Sequence, residues 1–126
     1  MRLFASLILM TAASLAVVPA FAQGDQVERT QAEIVVEQAT EGLAKDRAAR
    51  ADAMRDCATK DYAACSRLGD SYRKGRGGMQ DYKAAAEAYR KACTGKEAAG
   101  CATLAYLATK GYGMEQDLPE ARRLYK

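Results

Sequence analysis

The sequence predicts an all-α protein, a short solenoid of helical hairpins stapled by disulfides, and three observations lead there. Cysteines at 57, 65, 93 and 101 repeat one gap of eight, with the two pairs 36 residues apart, a period in the range of helical repeat arrays. Residues 55–90 laid over 91–126 are identical at Cys57, Lys60, Ala63, Cys65, Leu68, Lys74, Gly75, Gly77, Gln80, Asp81, Ala85 and Tyr89. Between these marks apolar residues recur at spacings of three and four, and the runs stop at glycine, as helices do.

The N-terminus bears on the oxidation state of the cysteines. Arg2 precedes an uncharged run from Leu3 to Val18, Pro19 ends it, and Ala20-Phe21-Ala22 supplies the small residues a signal peptidase reads. Residues 1–22 are therefore expected to be a signal peptide, leaving a single small domain within 23–126. A retained anchor is the competing reading, since the stretch approaches the roughly 20 residues that span a bilayer. Pro19 and the Ala-x-Ala ending oppose it, so no stable membrane anchor is expected after cleavage. No cysteine lies in or just after the run, which argues against a lipid anchor. Export to an oxidising space, periplasmic or extracellular, makes four cysteines most simply two disulfides.

Geometry then constrains the pairing. Residues eight apart on one continuous helix are about 12 Å apart along its axis, whereas a disulfide needs Cα atoms within about 7 Å. Each bonded pair must straddle a turn. Thr59, Lys60 and Asp61 in the first gap, and Thr94, Gly95 and Lys96 in the second, contain turn and cap residues. Of the three pairings that four cysteines allow, the repetition favours Cys57 with Cys65 and Cys93 with Cys101. Zinc is the alternative for four cysteines, but structural zinc ligands usually come two to four residues apart, and the chain has no histidine. No metal or other cofactor is expected.

The elements follow in chain order. Leu43 to Cys57 is alanine-rich and helical in character, and it ends where the next unit has Cys93. It reads as a partial repeat, residues 43–58. A full repeat over 61–93 opens with a helix from Ala63 to Lys74, in which Cys65, Leu68, Gly69 and Tyr72 share a face. Gly75-Arg76-Gly77-Gly78 forms a loop, and Asp81 caps a second helix from Tyr82 to Ala92. The repeat over 97–126 has a helix from Ala98 to Lys110, a loop at Gly111-Tyr112-Gly113, and a helix opened by Asp117 with Pro119 in its first turn. Gly69, Ala85, Ala105 and Ala121 are expected to let helices approach while Leu68, Tyr72, Tyr89, Leu104 and Tyr125 fill the gaps. Repeat arrays generally need about three units to bury a continuous apolar layer, and here two clear units follow a partial one; each disulfide adds roughly 2 to 3 kcal/mol on the entropic model.

Residues 23–42 differ in charge. They hold five acidic residues and one basic, net −4, against 17 basic and 11 acidic in 43–126, net +6. This acidic N-terminal arm reads either as a mobile leader or as a further helix carrying Val27, Ile34 and Val35. At the other end the next cysteine in the period would fall at position 129, beyond Lys126. Leu124 and Tyr125 are expected to form an exposed face that meets a partner or a second copy, unless the chain is a truncated product.

Leu68-Gly69, Tyr72, Gly75-x-Gly77, Asp81-Tyr82, Ala85, Tyr89 and Ala92 resemble the Sel-one-like repeat, a helical-hairpin relative of the tetratricopeptide repeat. The cysteines at each hairpin junction make residues 50–126 similar to the secreted cysteine-rich branch of that family. Gly78 departs from the family's apolar residue, which returns at Met114, and Ala105 replaces the glycine found at Gly69. The resemblance implies a right-handed α-solenoid that acts through its surfaces.

Function has to come from sites, because such folds host many roles. The absence of histidine removes the commonest general base, and Asp81 and Asp117 recur where helix caps are needed. Ser71-Tyr72-Arg73-Lys74 matches the Ser-x-x-Lys of penicillin-recognising enzymes, and β-lactam hydrolysis has been attributed to some cysteine-rich relatives. Its companion motifs are missing, and Leu107 replaces Ser71 in the second repeat. The resemblance implies instead a groove lined by the first helix of each unit. Its residues are Ala63, Ser66, Asp70, Arg73 and Lys74, with Ala99, Ala102, Tyr106, Thr109 and Lys110 as counterparts. A shallow groove with a basic rim of Arg73, Lys74, Arg76 and Lys110 suits a protein or peptide partner, while the same cations also suit a solvated helix end. Contact with peptidoglycan is a further expectation. Nucleic acid is not, given a net charge near zero after cleavage and no aromatic stacking pattern.

Overall fold

The computed structural model describes residues 29–126, which form five helices and, among the described residues, no strand. They are α1 (Gln31–Ala58), α2 (Tyr62–Lys74), α3 (Tyr82–Thr94), α4 (Ala98–Lys110) and α5 (Leu118–Leu124). Consecutive helices pack on one another, and α2 also touches α4, so the chain stacks as a solenoid. The expected signal peptide, and residues 23–28 of the acidic arm, lie outside the described residues. Residues 31–42 are helical and continuous with 43–58, which is the second of the two readings of the leader.

Each helix begins where the chain offers an acceptor to free backbone N–H groups. Asp61 accepts from Ala64 N and Asp81 from Ala84 N, both at 2.9 Å. Asp117 accepts from Glu120 N at 2.8 Å, and Pro119 stands in that first turn. Thr30 and Glu33 form a reciprocal capping box on α1. At α4 the cap is Glu97, whose longer side chain accepts from both Ala99 N and Gly100 N. The first helices of the two full units both end on a left-handed glycine, Gly75 and Gly111.

The repeated glutamines have a role the sequence did not announce. Gln80 Nε2 donates to Arg73 O at 2.6 Å, and Gln116 Nε2 to Thr109 O at 2.8 Å, tying each loop to the end of its helix. The loops then fold down on the preceding helix. A Cβ on Gly77 would meet Asp46 O at 2.4 Å, and one on Gly113 would meet Tyr82 O at 2.2 Å; both residues also have positive φ, 74° and 69°. Only glycine suits either position. Asp46 and Tyr82 are themselves 36 residues apart, so the second half of α1 supports α2 as α3 supports α4.

Two disulfides close the helix junctions. Cys57–Cys65 and Cys93–Cys101 bring Cα atoms to 4.6 and 4.5 Å across the α1–α2 and α3–α4 turns. At the apex of each turn Lys60 and Lys96 adopt φ of 69° and 60°. The core is made of small residues and a few large ones. Ala53, Cys57, Ala64, Cys65, Leu68, Ala88 and Ala92 form one cluster, Ala85, Ala86, Tyr89, Leu104 and Leu107 the next, and Ala105, Ala108 and Ala121 the last.

Two of the expected gap-filling positions behave differently. Tyr89 is 1% exposed, whereas its counterpart Tyr125, the residue that caps the end of α5, is 60% exposed and is not a core residue. The glycine at 78 also has a cause. Arg50 of α1 lies with its guanidinium 4.7 Å from the centre of the Tyr72 ring, donates to Ser71 O at 2.7 Å, and occupies the space a Cβ on Gly78 would need. In the second unit Met114 packs into the core at that point.

Candidate binding groove

The ten positions expected to line a groove separate into those that face solvent and those that do not. Ala63 and Lys74 on α2, and Ala99, Ala102, Tyr106 and Lys110 on α4, are exposed; Asp70, Arg73 and Thr109 are half-buried. Spacings of three and four hold each set along one side of its helix. Ser66 is a correction. It is buried, and its hydroxyl donates to Glu97, the residue that caps α4. It therefore joins α2 to the start of α4 and presents nothing to a ligand. Arg67, one residue on, is the exposed side chain on that part of α2, 3.6 Å from Asp61.

Asp70 and Arg73 are not free charges either. Tyr89 Oη donates to Asp70 Oδ1 at 2.9 Å, Arg73 Nη2 donates to the same oxygen at 2.9 Å, and Arg73 Nε donates to Tyr89 Oη at 3.3 Å. Burial works against the charged form of Asp70, but the hydrogen bonds from Arg73 and Tyr89 and the nearby Lys74 charge outweigh it and hold the carboxyl below its usual range. Burial pushes the Tyr89 phenol up to about 12. Glu97 is held low by the Ser66 hydroxyl, with burial opposing and the Gly100 and Ala99 N–H groups adding to the effect. This part of α2 is thus a fixed polar cluster over the core.

Two features were not foreseen from sequence. Tyr82, Tyr106 and Tyr112 form an aromatic run, with Tyr82 and Tyr112 stacked at 4.9 Å and Tyr106 edge-on to Tyr112 at 6.3 Å. Tyr106 and Tyr112 both stay about two-fifths exposed. Sequence spacing does not reveal it, because the three residues come from three different elements. The second feature is a cleft of about 490 Å³ between α1 and α2, lined by Asp52, Asp56, Asp70, Arg67, Arg76 and Ser71 among others. Its walls carry both signs of charge.

Ser71 stands in that cleft, but its hydroxyl donates to Arg67 O at 3.1 Å. Lys74 Nζ points to Asp70 Oδ1 at 3.8 Å. A serine nucleophile needs a base within hydrogen-bond reach, and both groups are engaged elsewhere. Among the described residues no cluster of histidine, cysteine or carboxylate side chains could hold a metal ion, and no helix is long and apolar enough to cross a membrane.

The chain matches no protein-family model and no curated protein. Among solved structures it is similar to Helicobacter pylori cysteine rich protein B (hcpB), with a TM-score of 0.55 and 20% identity over 77% of this chain and 92% of that one. That likeness is one of fold. Stable disulfides form and persist in oxidising spaces, so the two bridges fit an extracytoplasmic location. The described residues therefore have the Sel-one-like helical repeat fold, with five helices among them stacked as hairpins and a disulfide at each of two junctions.

Proposed function

We propose that this chain is an exported, non-catalytic scaffold that binds a protein or peptide segment along the face shared by α2 and α4. The observation that carries the reading is the exposed stripe of Ala63, Ala99 and Ala102 leading to Tyr106, Tyr112 and Lys110. Small side chains let a partner's backbone come close, and half-exposed tyrosines offer rigid contact area at low entropic cost. Lys74, Lys110 and Arg76 at the far end favour a segment carrying carboxylates. The signal peptide at 1–22 delivers the chain to the periplasm or beyond it, and fractionation of expressing cells distinguishes the two.

The test is binding of an acidic peptide panel to the oxidised protein, read by calorimetry. Tyr106→Ala and Lys110→Glu are each expected to weaken binding about tenfold or more, a loss typical of interface anchors. Glu87→Ala, on the exposed side of α3, is expected to change nothing. Equal binding by all three variants would put the site elsewhere. Retention by purified sacculi that is insensitive to Tyr106→Ala would favour peptidoglycan as the ligand and remove the groove from the account.

A further inference from the structure

One stripe runs the whole length of α1, at Ala32, Val36, Ala39, Leu43, Asp46, Arg50, Ala53 and Cys57. These alternate by four and three, the heptad spacing of helices that pair along a seam. Its two halves have opposite fates. Ala53 and Cys57 are buried in the first core cluster, and Asp46 and Arg50 are half-buried under the α2–α3 loop. Beyond that, α2 and its loop have ended, and the same stripe continues with Val36 62% and Leu43 57% exposed. The unpaired length, from Ala32 to Leu43, is about 17 Å at 1.5 Å per residue.

We infer that this overhang is the contact surface for a second copy of the chain, pairing antiparallel about a two-fold axis near Ala39. The seam is a direct continuation of the interface that already packs α1 on its own α2. An antiparallel match sets Val36 against Leu43 of the other copy, with the small Ala39 at the crossing. It also sets the acidic flank at Glu33 across from the exposed Arg47, a pairing of opposite charge made twice by symmetry. A parallel match would instead leave Glu33 and Arg47 two heptads apart along the seam, with no pairing between them. Glu41 lies on the opposite side of the helix and stays in water. The seam holds two large apolar residues per copy, so the dimer is weak and concentration-dependent.

Sedimentation of the oxidised full chain tests this, combined with cysteine trapping, since the native cysteines are already bridged among themselves. The weight-average mass is expected to rise with concentration toward two copies. Leu43→Asp should weaken association at least about tenfold, while Glu41→Gln should not alter it. Ala39→Cys is expected to give a disulfide-linked dimer and Ala32→Cys none. Efficient trapping at position 32 would mean parallel pairing, and a single-copy mass at every concentration, or a dimer indifferent to Leu43→Asp, would overturn the inference. Circular dichroism of each variant confirms that α1 still forms, because these side chains are exposed.

Discussion

The two full repeat units, 61–93 and 97–126, share a skeleton but differ in what they pack upon it. Both have a capped first helix, a left-handed glycine at its end, a glutamine-tied loop and an aspartate opening the second helix. In the first unit Tyr89 is buried against Gly69, where an added Cβ would come within 2.7 Å of the ring. In the second unit position 105 is alanine, fully buried, and Tyr125 is exposed. Likewise Gly78 makes room for Arg50, while Met114 fills the same place where no arginine arrives. The departures from strict repetition therefore come as pairs. A position loses its repeat residue when the neighbour it served has changed.

The largest effect that sharpens this comparison is at the tyrosines. Tyr89→Ala is expected to cost about 3 to 5 kcal/mol, as buried aromatic truncations do. Tyr125→Ala should cost less than about 1 kcal/mol, as exposed substitutions do. Chemical denaturation of both variants measures the contrast, and equal losses would break the comparison. At the paired position, Gly69→Ala is expected to cost about 1 to 3 kcal/mol through overpacking. That cost arises because Tyr89 is held by Asp70 and Arg73 and cannot swing aside. Ala105→Gly should cost only about 1 kcal/mol, the helix-propensity difference.

Next in size is Arg50. Arg50→Ala removes the donor to Ser71 O and the stacking on Tyr72, and should destabilise by about 1 to 3 kcal/mol. Hydrogen exchange should localise the change to residues 75–81, whose anchor to α1 is lost, and leave 111–117 unaffected. Exchange that accelerates equally in both loops would show that the units are not separately held.

The smallest effect is pH dependence, and Asp70 and Tyr89 of the first unit are the first groups to test for it. Asp70 titrates lower in the folded chain than in the unfolded one. Its contribution is therefore complete above the unfolded carboxylate range, near pH 4, and is lost as pH falls through the folded value. Tyr89 is shifted the other way, to about 12. Its contribution is complete below the ordinary phenol value near 10 and is lost as pH rises through the folded one. Asp70→Asn should flatten the acid limb of a plot of melting temperature against pH. An unchanged limb would assign the acid sensitivity to another carboxylate, with Glu97 the next to test.

Much of the fold was legible because the repeat writes the same physics twice. Two aspartate caps, two left-handed glycines and two cysteine pairs in one register leave little freedom for anything but stacked hairpins. The groove was less legible. Helical spacing places residues on a helix side to within a residue or so, which is why it points to Ser66 where Arg67 is exposed. Ser66 is drawn inward by Glu97, 31 residues on in the chain. The tyrosine run of 82, 106 and 112 is a tertiary assembly with no spacing of its own. Tyr125 misled because it matches Tyr89 in register while the glycine that accommodates Tyr89 has become alanine.

Peptide mapping of the oxidised protein without reduction bears most directly on the central claim, that a local disulfide fixes each of the two helix junctions. Proteolysis should release one linked pair of peptides holding Cys57 with Cys65 and another holding Cys93 with Cys101. Free thiols in the oxidised protein, or a bond joining 57 or 65 to 93 or 101, would contradict it.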